Sequence, residues 1–171
     1  MSVTFSDLGV PARLSQALAD NGMTEAFDVQ AAAIPDALAG RDVCGRAPTG
    51  SGKTIAFGVP VLARVSKASP QKPTALILSP TRELADQIRT ELLPVAHAAD
   101  RRVTAVYGGV GYGDQTRALR RGVDVLVACP GRLLDLIDHG DVSLAHVEIV
   151  VVDEADRMAD MGFLPSVKKL L

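Results

Sequence analysis

The residues most able to do chemistry fall in two short clusters. The first is Ala47-Pro48-Thr49-Gly50-Ser51-Gly52-Lys53-Thr54. Gly50 and Gly52 let the backbone turn sharply and close its N–H groups around an anion. A helix opening at Lys53 would add the positive end of its dipole. Lys53 then offers a point charge to the β- and γ-phosphates of a nucleotide, and the Thr54 hydroxyl suits Mg²⁺. The stretch reads as a phosphate-binding loop from Pro48 to Thr54, although Ala47 stands where the strict pattern has glycine.

The second cluster is Asp153-Glu154-Ala155-Asp156, directly behind the apolar run Ile149–Val152. Taken alone, three carboxylates in such a turn are equally a solvated acidic surface. Beside a phosphate loop they acquire a role. Asp153 at a strand end is the expected second anchor for Mg²⁺, directly or through water. Glu154 is then placed to orient the water that attacks the γ-phosphate and to take its proton.

These clusters need elements to position them, and the periodicity supplies an alternating set. Short apolar segments rich in β-branched residues recur at 42–46, 74–79, 102–107, 124–128 and 147–152, each closed by Gly, Pro or Asp. Apolar on both faces, they read as buried strands of a parallel sheet. Helical patterns fill the intervals at 11–21, 30–39, 53–66, 82–98, 114–120, 133–139 and 164–171, with Pro94 expected to kink or end the fourth. Such alternation implies an α/β fold with right-handed crossovers and helices on both faces. In an open sheet of this kind, ligands bind beyond the carboxyl ends of the strands, where both clusters fall.

Composition narrows the function classes. The 171 residues suffice for one domain; 47% are hydrophobic and 22% charged, as in a soluble protein. A net charge of -2 gives no global basic footprint, so any nucleic-acid contact must be a local patch. No apolar run reaches membrane-spanning length and the start lacks a signal-peptide pattern, so a cytoplasmic protein without membrane contact is expected. Cys44 and Cys129 read as buried core thiols, and His97, His139 and His146 lack metal-ligand spacing.

At Asp153-Glu154-Ala155-Asp156 the chain resembles the DEAD-box family of ATP-dependent RNA helicases, and further matches come in the family's order. Phe5 and Gln30 resemble the isolated aromatic and the glutamine of the Q motif, which selects adenine; a carboxamide can pair with adenine's N6–H and N7. Met23 lies where the family often carries a residue against the adenine face. Pro80-Thr81-Arg82-Glu83-Leu84-Ala85, Gly108-Gly109 and Pro130-Gly131-Arg132 resemble the motifs that grip RNA phosphates, with Cys129 in place of the usual Thr. Asp160-Met161-Gly162-Phe163 is another match. The resemblance implies a RecA-like P-loop domain, ATP and Mg²⁺ as cofactors, RNA as partner, and Asp156 in coupling to a second domain.

The family's Ser-Ala-Thr segment and second RecA-like domain would follow the acidic motif. Neither is found before Leu171, so residues 1–171 are expected to be the amino-terminal domain. The Ser-Ala-Thr strand lies between the phosphate-loop strand and the acidic strand in such sheets, so a gap with open edges is expected here. The domain alone should hydrolyse ATP barely above background. A non-catalytic nucleotide- or RNA-binding module and a P-loop phosphotransferase remain the alternatives.

Overall fold

The computed structural model describes residues 2–171, which fall into two compact units. The first comprises Met1–Arg64 and Glu91–Arg101, and the second Val65–Thr90 and Arg102–Leu171.

The first unit is helical. α1 spans Ala12–Asp20 and α2 Asp28–Leu38; α3, Lys53–Arg64, opens directly on the phosphate loop. Leu14, Leu18 and Ile34 are buried along these helices, as are Ile55, Val59 and Leu62. Gly58 of α3 is required by packing, because a Cβ there would lie 2.1 Å from the Leu92 side chain. Leu92 belongs to the carboxy-terminal part of a long helix that both units share.

The second unit is built on a sheet. β1 is Ala75–Leu78, and the shared helix, α4, runs Arg82–Ala98. β2 (Val103–Val106), α5 (Gly113–Arg121), β3 (Val125–Ala128), α6 (Pro130–Asp138) and β4 (Ile149–Val152) follow. Two short helices, α7 (Ala155–Asp160) and α8 (Leu164–Leu170), close the chain. All strands are parallel, in the order β2-β3-β1-β4. β1 and β3 are central and completely buried, as their unbroken apolar runs require. Leu76, Leu78, Leu126, Leu133 and Leu136 form the core with Met158 and Val167.

Two expectations need correction and a third is narrowed. No strand forms at 42–46; these residues are exposed and outside the sheet. Only Val43 and Cys44 are apolar there, too little surface to hold an extended segment with no ladder partner. β4 pairs with β1 alone and is an open edge, with Val150 43% exposed. Cys44, expected in the core, is exposed, and both cysteines are free. Pro94 does not end α4, which continues to Ala98. A proline removes one ladder bond, and burial of Leu92, Val95 and Ala96 around it outweighs that loss. The sequence pattern also gave no sign of α7.

One buried carboxylate ties the amino-terminal ends of the strands together. Asp124 is 5% exposed, and its two oxygens accept from the backbone N–H groups of Ala68 and Arg102, each at 2.6 Å. Its carbonyl accepts from the N–H groups of Thr74 and Ala75. Asp124→Asn replaces one acceptor oxygen by an amide donor facing a donor. Denaturant unfolding should show a loss of about 1–3 kcal/mol with unchanged slope. The exposure of the 42–46 segment makes a second prediction. Iodoacetamide at neutral pH should alkylate Cys44 well before Cys129, whose thiol burial and the nearby Glu83 and Asp86 push up to about 11. Peptide mass spectrometry reads the order, and equal rates would place Cys44 in a buried strand.

Candidate functional site

In the first unit the phosphate loop is folded tightly on itself. Ser51 donates from its hydroxyl to the Pro48 carbonyl at 2.6 Å and from its N–H to the same oxygen at 3.3 Å. Gly50 and Gly52 have φ of 80° and 85°, a region that disfavours side chains. At Gly52 space matters as well: a Cβ would lie 2.4 Å from Gln30 Nε2 and 2.8 Å from the Phe27 ring. Pro48 and Thr49 are exposed, while Lys53 and Thr54 are half-buried in the first turn of α3.

Gln30 reaches that loop directly. It is 2% exposed; its Nε2 donates to the Gly52 carbonyl at 3.1 Å, and its Oε1 accepts from the Phe27 N–H at 2.8 Å. The carboxamide expected to read a base thus also bridges the start of α2 to the phosphate loop. Phe5 is placed differently from expectation. At 2% exposure its ring lies in the core, and its carbonyl accepts from the N–H groups of Leu8 and Val10. The solvent-facing aromatic beside Gln30 is Phe27, 60% exposed. The sequence signal for it was its place three residues before Gln30, from which a glutamine side chain can reach back to its backbone N–H. Met23 is half-buried, and its N–H donates to Leu18.

In the second unit the acidic motif leaves the carboxyl end of β4. The Asp153 N–H donates to the Leu78 carbonyl at 3.0 Å, extending the ladder by one residue. Glu154 then takes a left-handed conformation, φ 51° and ψ 46°, and turns the chain into α7. A non-glycine residue there costs on the order of 1–3 kcal/mol, the kind of strain that collects at functional sites. Asp153 and Glu154 are half-buried, and Asp156 is exposed, accepting from the Arg157 N–H.

The three RNA-type motifs leave β1, β2 and β3, which are neighbours in the sheet, at the same carboxyl end. Among the eight residues expected to face RNA, Thr81 is half-buried, and Arg82, Gly108, Gly109 and Gly131 are exposed. Pro80, Pro130 and Arg132 are buried. Pro80 lies two residues beyond β1, and Pro130 opens α6. Arg132, 8% exposed, is directed inward: Nη1 donates to Gln115 Oε1 at 3.1 Å and Nη2 to the Val110 carbonyl at 2.8 Å. Arg82 instead lies at the surface with its guanidinium 5.1 Å from the centroid of the Tyr107 ring, whose hydroxyl donates to Asp86 at 2.8 Å. That hydrogen bond and partial burial hold the Tyr107 hydroxyl above its usual range. Tyr107 and Gln115 escaped the sequence reading; the position of Tyr107 directly before Gly108-Gly109 was the available signal.

Comparison with known proteins accounts for this combination. The ATP-dependent RNA helicase DBP2 of Mycosarcoma maydis is 44% identical over 98% of the chain, and DEAD-box ATP-dependent RNA helicase 30 of Arabidopsis thaliana 45% over 98%. The chain spans about a third of these relatives' length, 31% and 29%. The crystal structure of the RNA helicase Prp28 from Chaetomium thermophilum bound to ADP superposes with a TM-score of 0.91 at 41% identity, covering 98% of this chain and 42% of that one. The α/β fold is therefore the RecA-like domain of such proteins, despite the strand missing from its sheet. The family model for DEAD/DEAH box helicases matches residues 27–171, and the chain belongs to that family.

Proposed function

We propose that this chain is the nucleotide-binding first domain of an ATP-dependent RNA helicase, holding adenine nucleotide and Mg²⁺ and part of an RNA backbone. The observation that carries the nucleotide side is the hydrogen bond from Gln30 to the Gly52 carbonyl, which ties a base-reading carboxamide to the phosphate loop. The ADP bound to Prp28 supports adenine as the base. Phe27, exposed beside Gln30, offers the ring face that Phe5 cannot. In the hydrolytic step Lys53 stabilises charge growing on the γ-phosphate, Thr54 and Asp153 hold Mg²⁺, and Glu154 accepts the proton of the attacking water. Asp156 carries the signal toward a second domain. That domain supplies the arginines that complete the phosphoryl-transfer site, an omission worth about 10³–10⁵ in rate in related chemistry. RNA lies along Thr81, Arg82, Gly108, Gly109 and Gly131, contacted through its sugar-phosphate backbone and not read by base. Two free thiols accord with the reducing cytoplasm as its compartment.

Base choice tests the nucleotide assignment. ADP should bind far better than GDP, and Gln30→Ala should lose about 1–3 kcal/mol of ADP affinity together with the preference. Calorimetry giving equal affinity for both bases would remove adenine from the reading. The hydrolytic assignment separates binding from turnover in the full-length protein. Lys53→Ala should weaken ATP binding and abolish hydrolysis, whereas Glu154→Gln should keep ATP bound and stop hydrolysis. RNA-stimulated phosphate release measures both, and near-normal turnover by Glu154→Gln would move the proton acceptor elsewhere.

A further inference from the structure

The loop at 107–113 is exposed and carries glycine at 108, 109, 111 and 113, a composition that costs entropy to order. It contributes no residue to the core, yet it is held at three points by buried polar groups. Gln115, 7% exposed, donates from Nε2 to the Tyr107 carbonyl at 3.1 Å. Its Oε1 accepts from Arg132 Nη1, and Arg132 Nη2 donates to the Val110 carbonyl. The Arg132 guanidinium also lies 4.0 Å from the centroid of the Tyr112 ring, and the Tyr112 hydroxyl donates to Asp135 at 3.1 Å. One arginine and one glutamine therefore fix the chain on both sides of Gly108-Gly109.

A cation in that position is a poor phosphate ligand. Arginine binds phosphate by presenting its planar fork to solvent, where the ion it meets displaces counterions. Arg132 has committed an N–H from each terminal nitrogen to protein oxygens, and Tyr112 covers its face. Burying a guanidinium is costly unless such partners satisfy it, so the Gln115–Arg132 pair is stable only with the loop in place. The energy of that burial is what orders the glycines.

We propose that Arg132 and Gln115 are positioning residues that set the Gly108-Gly109 loop for RNA, and that Arg82, not Arg132, supplies the phosphate-pairing charge. The proposal rests on the RNA-backbone reading above and reassigns one residue within it.

Salt dependence separates the two roles, because only a cation that pairs with phosphate contributes to counterion release. The affinity of the full-length protein for single-stranded oligouridylate, with a non-hydrolysable ATP analogue, is measured across a salt series. Arg82→Gln should flatten the slope of log K against log salt by roughly 0.7, one phosphate contact on a single strand. Arg132→Gln and Gln115→Ala should each weaken binding about tenfold with the slope unchanged, and combining them should add little. Tyr112 is surface-accessible, so Tyr112→Ala tests the same clamp without emptying a buried site. It should weaken RNA binding at unchanged slope, and Tyr112→Phe should restore most of the loss. A slope lowered by Arg132→Gln as much as by Arg82→Gln would overturn the proposal, as would additive losses or a silent Tyr112→Ala. If Arg82→Gln also left the slope unchanged, the RNA-backbone reading itself would fall.

Discussion

The geometry of the second unit depends on the buried Asp124 carboxylate. Parallel strands of four residues have few ladder bonds with which to hold their register, and a slip of one residue would exchange their faces. Asp124 settles the register at the amino-terminal end, binding the N–H that opens β2 and the N–H of the loop before β1 while standing directly ahead of β3. Ala75 and Val103 consequently both pair with Val125. A four-residue strand is about 13 Å long, so an end fixed to within a hydrogen bond delivers the other end with little play. The segments that leave β1, β2 and β3 at the carboxyl end thus emerge level with one another. Their order in space, β2-β3-β1, brings the Gly108-Gly109 loop, Gly131 and Arg82 to one rim.

The first unit solves a different problem with the same economy. A phosphate loop must be open enough to admit an anion and firm enough to keep its N–H groups oriented. Gly52 has φ of 85° and no room for a Cβ against Gln30 and Phe27, so side-chain packing and backbone conformation require the same residue there. The carbonyl it exposes accepts both the first bond of α3, from Ala56, and the amide of Gln30. One carbonyl therefore links the start of α2, through Gln30, to the loop and to the first turn of α3.

Much of this was legible in the sequence, for identifiable reasons. The helices and the four formed strands are local patterns of apolar spacing, and α4 was predicted with the ends it has, 82 and 98. The strand at 42–46 was not, because a strand is a property of its neighbours as much as of its residues, and no neighbour pairs with it. Pro94, expected to kink or end its helix, does not end it, because burial around it outweighs the lost ladder bond. Motif spacing identified the residue types at the site but could not tell which way a side chain turns. Phe5 and Phe27 are both phenylalanines near the Q motif, and only burial separates the core residue from the exposed one.

Aromatic content sharpens that point for the rim at the carboxyl ends of the strands. The chain has two tyrosines, Tyr107 and Tyr112, and they stand at the two ends of the Gly108–Gly111 stretch. Each carries an arginine over its ring, Arg82 on Tyr107 and Arg132 on Tyr112. A stacked guanidinium keeps its edge N–H groups available, because the ring covers only a face. Arg82 is exposed beside Tyr107, whereas the fork of Arg132 meets Gln115 and the Val110 carbonyl. The same kind of contact therefore accompanies one cation at the surface and another locked inward. Residue type and motif position are alike in the two arginines, and the difference lies in what surrounds the edge of each fork.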